Sequence, residues 1–216
     1  MANTDPIKYA SPLLNKACRG FALAVSKLFW SISYRGKENI PAKDAFPYIL
    51  ASNHQAYFDP AWITAPITQK LAFMTWGEAF EWKFIGAMIR QLGAFPVSLE
   101  GGAKALGSVK KALRALRDGA VLIIFPEGER AFGDGQMLEF KEGVASIAIR
   151  AQVPILPVTI KGGNRVWAQG QTGPHFFTPV EVTYHPLIYP PKNVDDGAEE
   201  DLTNKLRDTI AAALDQ

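Results

Sequence analysis

The amino-acid sequence predicts an α/β fold: a single-domain sandwich of a mostly parallel central sheet flanked by helices, with an amphipathic helix at its N-terminal end. Three observations predict it. Ala120–Phe125 is an uninterrupted apolar run, the pattern of a strand covered on both faces. Helix-period segments alternate with short strand-like runs along most of the chain. The 216 residues contain no internal repeat and no linker that would divide them, a length suited to one core.

From the N-terminal end, Leu14, Cys18, Phe21, Val25, Leu28 and Ile32 recur at steps of three and four, which predicts one apolar face of a helix. Asn15, Lys16, Arg19, Ser26 and Lys27 supply its polar positions. Two uses of that helix stay open. It packs on its own domain, or it also dips into a lipid interface while Lys and Arg snorkel toward headgroups.

Ser33–Lys37 and Pro47–Ser52 read as short strands around the polar turn 38–45. Leu71–Trp76 and Ala94–Ser98 read as two more, separated by an amphipathic segment, Glu78–Gln91, that is rich in Phe80, Trp82, Phe84, Ile85, Met88 and Ile89. Core packing is the expected use of most of these bulky side chains. Ser108–Asp118 is a helix closed by Gly119. After the Ala120–Phe125 strand come a helix at Val144–Ala151, a strand at Val153–Ile160, a strand at Val180–Tyr184 and a last helix at Ala198–Leu214.

Composition narrows the function. A formal charge of +2 gives no global case for nucleic-acid binding. Residues 1–43 nevertheless carry seven Lys and Arg against two acidic residues, which suits an anionic surface such as a lipid leaflet. Cys18 is the sole cysteine and His54, His175 and His185 the sole histidines, so no disulfide forms within the chain and a metal site is not expected. No stretch reaches the roughly 20 apolar residues that span a bilayer.

Two motifs follow predicted strands, where α/β sheets place their sites. The first is Asn53-His54-Gln55-Ala56-Tyr57-Phe58-Asp59-Pro60. Asp59 before Pro60 suits a helix cap followed by the first helical position, and a turn between them can return the carboxylate to one ring nitrogen of His54. A carboxylate there fixes the tautomer and leaves the other nitrogen as a base. An isolated histidine beside a helix-capping aspartate fits these residues equally. The second motif is Phe125-Pro126-Glu127-Gly128-Glu129-Arg130. Gly128 permits a sharp turn, Arg130 can bind a phosphate through paired hydrogen bonds, and Glu127 can accept from a substrate hydroxyl or hold Arg130. A plain charged turn with an internal ion pair stays open here too.

Together the motifs resemble the glycerolipid acyltransferase family, which contains the lysophosphatidic acid and glycerol-3-phosphate acyltransferases. His54 and Asp59 stand as its His-(x)4-Asp pair. Phe125–Arg130 matches Phe-Pro-Glu-Gly-(Thr/Ser)-Arg with Glu129 in place of the small residue, and Phe140-Lys141-Glu142-Gly143 and Val153–Val158 match later blocks. The blocks keep their order over about residues 33–190. In one place the pattern departs: Gly93-Ala94-Phe95-Pro96-Val97-Ser98-Leu99 has Leu99 where the family often has a phosphate-binding arginine, a role that Arg90, Lys104 or Arg130 would have to fill.

The spacing and charge of residues 1–32 make them an N-terminal amphipathic helical segment open to membrane contact, and the resemblance implies 33–216 as the acyltransferase domain. It implies His54 and Asp59 as catalytic residues, with Asn53, Glu127, Gly128 and Arg130 binding substrate. Backbone N–H groups near Gly128 are candidate oxyanion donors, and Phe73, Met74, Trp76, Phe80, Trp82 and Phe84 are candidates to line an acyl groove. The donor is acyl-CoA or acyl-carrier protein, and no further cofactor is expected. The acceptor is a lysophosphatidic acid-like lipid, with another lysophospholipid, glycerol-3-phosphate or an amino-lipid as alternatives. A non-catalytic lipid- or phosphate-binding module is the reading from a different class. The expected location is peripheral, on the cytoplasmic face of a membrane.

Overall fold

The computed structural model describes residues 6–97, 103–131, 135–167 and 172–214. Leu99 and the side chain of Lys104 lie outside the described residues. Helices α1 (Pro12–Trp30), α2 (Asp59–Thr64), α3 (Lys83–Gln91), α4 (Ala103–Arg117), α5 (Gly143–Ala151) and α6 (Ala198–Leu214) surround strands β1 (Ser33–Arg35), β2 (Ile49–Ser52), β3 (Leu71–Trp76), β4 (Ala94–Val97), β5 (Val121–Ile124), β6 (Ile155–Lys161) and β7 (Glu181–Tyr184). The strands form one sheet in the order β1-β7-β6-β2-β5-β3-β4. Every neighbouring pair is parallel except β6 with β7.

The central strands are apolar because both of their faces are covered. Ile49, Ala51, Leu122, Ile124 and Ile155 pack with α4, α5 and α6 on one side. Leu50, Ile123 and Leu156 pack with Trp30 of α1 and Trp62 and Ile63 of α2 on the other. β2 and β5 are hydrogen-bonded neighbours, with Ile49 opposite Leu122 and Ala51 opposite Ile124. The loops that follow them therefore leave the sheet side by side, although about 70 residues separate them in the chain.

Two expectations are corrected. The apolar stripe of α1 is not one buried face. Asn15 and Arg19 turn inward, donating to the carbonyls of Gln69 and Ala65 at 3.1 and 2.9 Å, and Ser26 and Trp30 are buried on the same side. Leu13, Phe21 and Leu28 face outward, 79%, 73% and 66% exposed. The cause lies past the end of α2, where carbonyls without intrahelical partners need donors that an apolar face cannot supply. The second correction concerns Glu78–Gln91, which is a short 3-10 turn followed by α3. Its bulky residues are not core: Trp82, Phe84, Ile85 and Met88 are exposed, while Phe80 and Ile89 are half-buried.

Candidate active site

His54 lies two residues beyond β2, and Asp59 is the first residue of α2. The expected capping role of Asp59 is corrected, because Phe58 occupies the cap position. The carboxylate instead turns back onto the loop before the helix. Asp59 Oδ2 meets His54 Nδ1 at 2.8 Å and accepts the backbone N–H groups of Gln55 and Ala56 at 2.6 and 2.7 Å. Three contacts on one fully buried oxygen fix the loop around the carboxylate and the ring against it. With Nδ1–H donating to Asp59, Nε2 carries the lone pair. The ring stacks on Phe125 at 4.0 Å between centroids, so the first residue of the second motif forms a wall for the first. Only 15% of the His54 side chain is exposed, enough for one substrate group to approach.

Glu127 ties the two motifs together. Its Oε1 accepts the backbone N–H of His54 and its Oε2 that of Leu138, both at 2.7 Å. Expected to meet substrate or hold Arg130, it instead holds backbone. Burial pushes its pKa up to about 7 against the pull of those two N–H donors, and the charges of Asp59 and Glu129 add to the rise.

Asn53, also expected to meet substrate, is buried and clamps β6. Its side chain donates to the carbonyl of Ile160 at 2.9 Å and accepts the N–H of Ile160 at 2.8 Å. Both positions are polar groups committed to backbone in a place where water cannot replace them.

Gly128 has φ +78°, as the turn requires, and a Cβ there would come within 2.7 Å of Lys141 Nζ. Its N–H donates to the carbonyl of Phe125 at 3.1 Å, so this amide closes the turn and is not the oxyanion donor expected near it. Arg130 lies with its guanidinium carbon 3.7 Å from the centre of the Tyr57 ring, a cation–π arrangement that carries the second motif back over the first. Burial draws its guanidinium below the usual range, partly offset by Tyr57 and Asp59. Arg90, considered as a replacement for the missing arginine, donates to the carbonyl of Phe80 at 3.2 Å on α3.

Sequence reasoning missed Gln55. Its Oε1 accepts the N–H groups of Gly163 and Asn164 at 3.0 and 3.4 Å, and its Nε2 donates to the carbonyl of Gly135 at 3.1 Å. One amide thus joins the loops after β2, β5 and β6. Gly163 permits this closeness, because a Cβ there would lie 3.3 Å from Asp59 Oδ1. The available signal was a long polar residue next to His54 inside the first motif.

Comparison with known proteins agrees with this geometry. The sequence profile of the acyltransferase family matches residues 31–161. Over 211 residues the chain is 28% identical to a chloroplastic 1-acyl-sn-glycerol-3-phosphate acyltransferase of Brassica napus, covering 94% of this chain and 58% of that one. It is 28% identical over 188 residues to a chloroplastic 1-acyl-sn-glycerol-3-phosphate acyltransferase of Arabidopsis thaliana, covering 87% of this chain and 50% of that one. It thus spans about half the length of these plant relatives. The crystal structure of the 1-acyl-sn-glycerophosphate acyltransferase of Thermotoga maritima superposes with a TM-score of 0.76 at 26% identity, covering 94% of this chain and 78% of that one. The chain belongs to the acyltransferase family.

Proposed function

We propose that the protein transfers a fatty acyl group from acyl-CoA or acyl-carrier protein to the free hydroxyl of a lysophosphatidic acid-like acceptor, in phospholipid biosynthesis. The observation that carries this reading is the His54–Asp59 pair, with Nδ1 held at 2.8 Å by a fully buried carboxylate. The names of the relatives and their shared fold support the substrate class.

In this mechanism Nε2 of His54 takes the proton of the acceptor hydroxyl as its oxygen attacks the thioester carbonyl carbon. The tetrahedral intermediate collapses by breaking the carbon–sulfur bond, and the departing thiolate recovers the proton from the imidazolium. Asp59 stabilises that imidazolium. General-base catalysis of this kind contributes typically ~10²–10⁴-fold, and a thiolate leaves readily, so positioning and oxyanion stabilisation complete the rate. Glu127 and Asn53 act by holding the backbone on which His54 stands, and Arg130 is the cation offered to the acceptor's phosphate. No metal or further cofactor enters the scheme.

The protein would work as a peripheral protein on the cytoplasmic face of a membrane. No helix among the described residues is long and apolar enough to cross a membrane, and the outward stripe of α1 is flanked by Lys16 and Lys27. Flotation with anionic vesicles before and after deletion of residues 1–32 tests this, and equal binding by both forms would reject α1 as the contact.

Incubating the protein with labelled acyl-CoA and a panel of lysolipids, beside His54→Ala, tests the chemistry. Transfer that survives the substitution would sink the mechanism, and absence of transfer to any acceptor favours a binding module. Leu99 at the arginine position keeps a second acceptor in view. If Leu99→Arg fails to raise activity on lysophosphatidic acid, that position does not limit phosphate binding.

A further inference from the structure

We propose that α3 is a second lipid-contacting element, whose Phe84, Ile85 and Met88 enter the interface of the same anionic bilayer that α1 meets; this rests on the membrane reading above. Phe84 is 90% exposed and Met88 54%. At about 100° per residue the two lie within roughly 40° of each other around the helix axis, with Ile85 beside them. Gly86 lies on the opposite side, where a Cβ would collide with the Phe80 carbonyl, so that side is docked on the preceding turn. An apolar arc on a docked helix has no intramolecular role to explain it.

Three observations select a bilayer as its occupant. First, α1 and α3 lie in the same layer. The β2–α2–β3 and β3–α3–β4 connections advance in one direction across the sheet, right-handed crossovers put α2 and α3 on one side, and α1 packs on α2 through Trp30 and Trp62. That is the side of Trp30, Trp62 and the Phe125 wall of His54. The two outward stripes and the catalytic ring therefore share a face.

Second, the charge is complementary to an anionic leaflet. Neither α1 nor α3 contains a carboxylate, while Lys16, Lys27, Lys83 and Arg90 lie on them. Glu78 and Glu81 belong to the turn before α3. Third, Trp76 and Trp82 are exposed at the start of this segment, and tryptophan favours the headgroup level, where one edge of the ring is wet and the other apolar.

The test is binding to vesicles of phosphatidylcholine with a minority of phosphatidylglycerol, using Phe84→Ser with Met88→Ser, and separately Phe21→Ser with Leu28→Ser in α1. The exposed positions leave the fold intact, which an unchanged melting temperature checks. The α3 pair should lower the partition coefficient on the order of tenfold or more, and brominated lipid chains should quench a fluorescence component that Trp82→Phe removes.

Wild-type binding that falls only with the α1 pair would overturn the role of α3 and leave the membrane reading standing. No vesicle binding by wild type would overturn both. A lipid-free dimer that the α3 pair dissociates would assign the arc to a second copy of the chain and also overturn the proposal.

Discussion

Glu127 accepts the backbone N–H of His54 at 2.7 Å, so the carboxylate of the second motif fixes the residue that carries the chemistry of the first. Protonating Glu127 would put a hydrogen on an oxygen that faces an N–H, and one of its two braces would be lost.

Burial of that carboxylate makes stability depend on pH in a stated direction. Burial raises the pKa of Glu127 from 4.5 to about 7 in the folded protein, so the folded state holds the proton more tightly than the unfolded chain. The associated stability is full below about pH 4.5 and is lost as pH rises through about 7. The component amounts to roughly 3 kcal/mol at one pKa unit per ~1.4 kcal/mol. Chemical denaturation of wild type and Glu127→Gln across this window should show wild-type stability falling with pH relative to the variant. A difference that stays constant with pH would reject the raised pKa.

Asp59→Asn should keep the fold and lose most of the turnover. An amide oxygen in the place of Oδ2 can still accept from His54, Gln55 and Ala56, but it lacks the charge that stabilises the imidazolium formed when Nε2 takes a proton. The expected loss in kcat is on the order of 10³–10⁴, by the logic of the Ser-His-Asp template, with a change in KM much smaller than that. A KM effect alone would make Asp59 a binding residue.

Asn53→Ala acts on a different link. It leaves both the N–H and the carbonyl of Ile160 without their buried partner, which costs roughly 2–4 kcal/mol. Urea unfolding should report this as a lower midpoint with an unchanged slope. A variant as stable as wild type would mean that water replaces the side chain there.

Gln55→Ala unlinks the loops after β2, β5 and β6 without removing any group that the mechanism uses. Turnover should fall about 10–100-fold, since small misplacements of a positioned base are costly. Gln55→Glu keeps the acceptor for Gly163 but loses the donor to Gly135, so it should recover part of the loss. Equal activity of Gln55→Ala and wild type would reduce Gln55 to a packing residue.

Much of this protein was legible without coordinates. Local pattern determined the strands at Leu71–Trp76 and, within the apolar run Ala120–Phe125, at Val121–Ile124, and the helix at Ala198–Leu214, because such patterns are set by residues close in the chain. The order of the motif blocks determined the family and singled out His54 and Asp59. Tertiary structure decided what cannot be local. The parallel pairing of β2 with β5 put Phe125 and Glu127 against His54, and the carbonyls beyond α2 drew Asn15 and Arg19 of α1 inward and left Phe21 and Leu28 outward. It also moved Asn53 and Glu127 from the substrate to the backbone, since a buried polar group takes whichever partner the packing offers and the sequence does not name that partner. The pair His54 and Asp59 was written in one short segment, while the frame that holds it is assembled from strands distant in sequence.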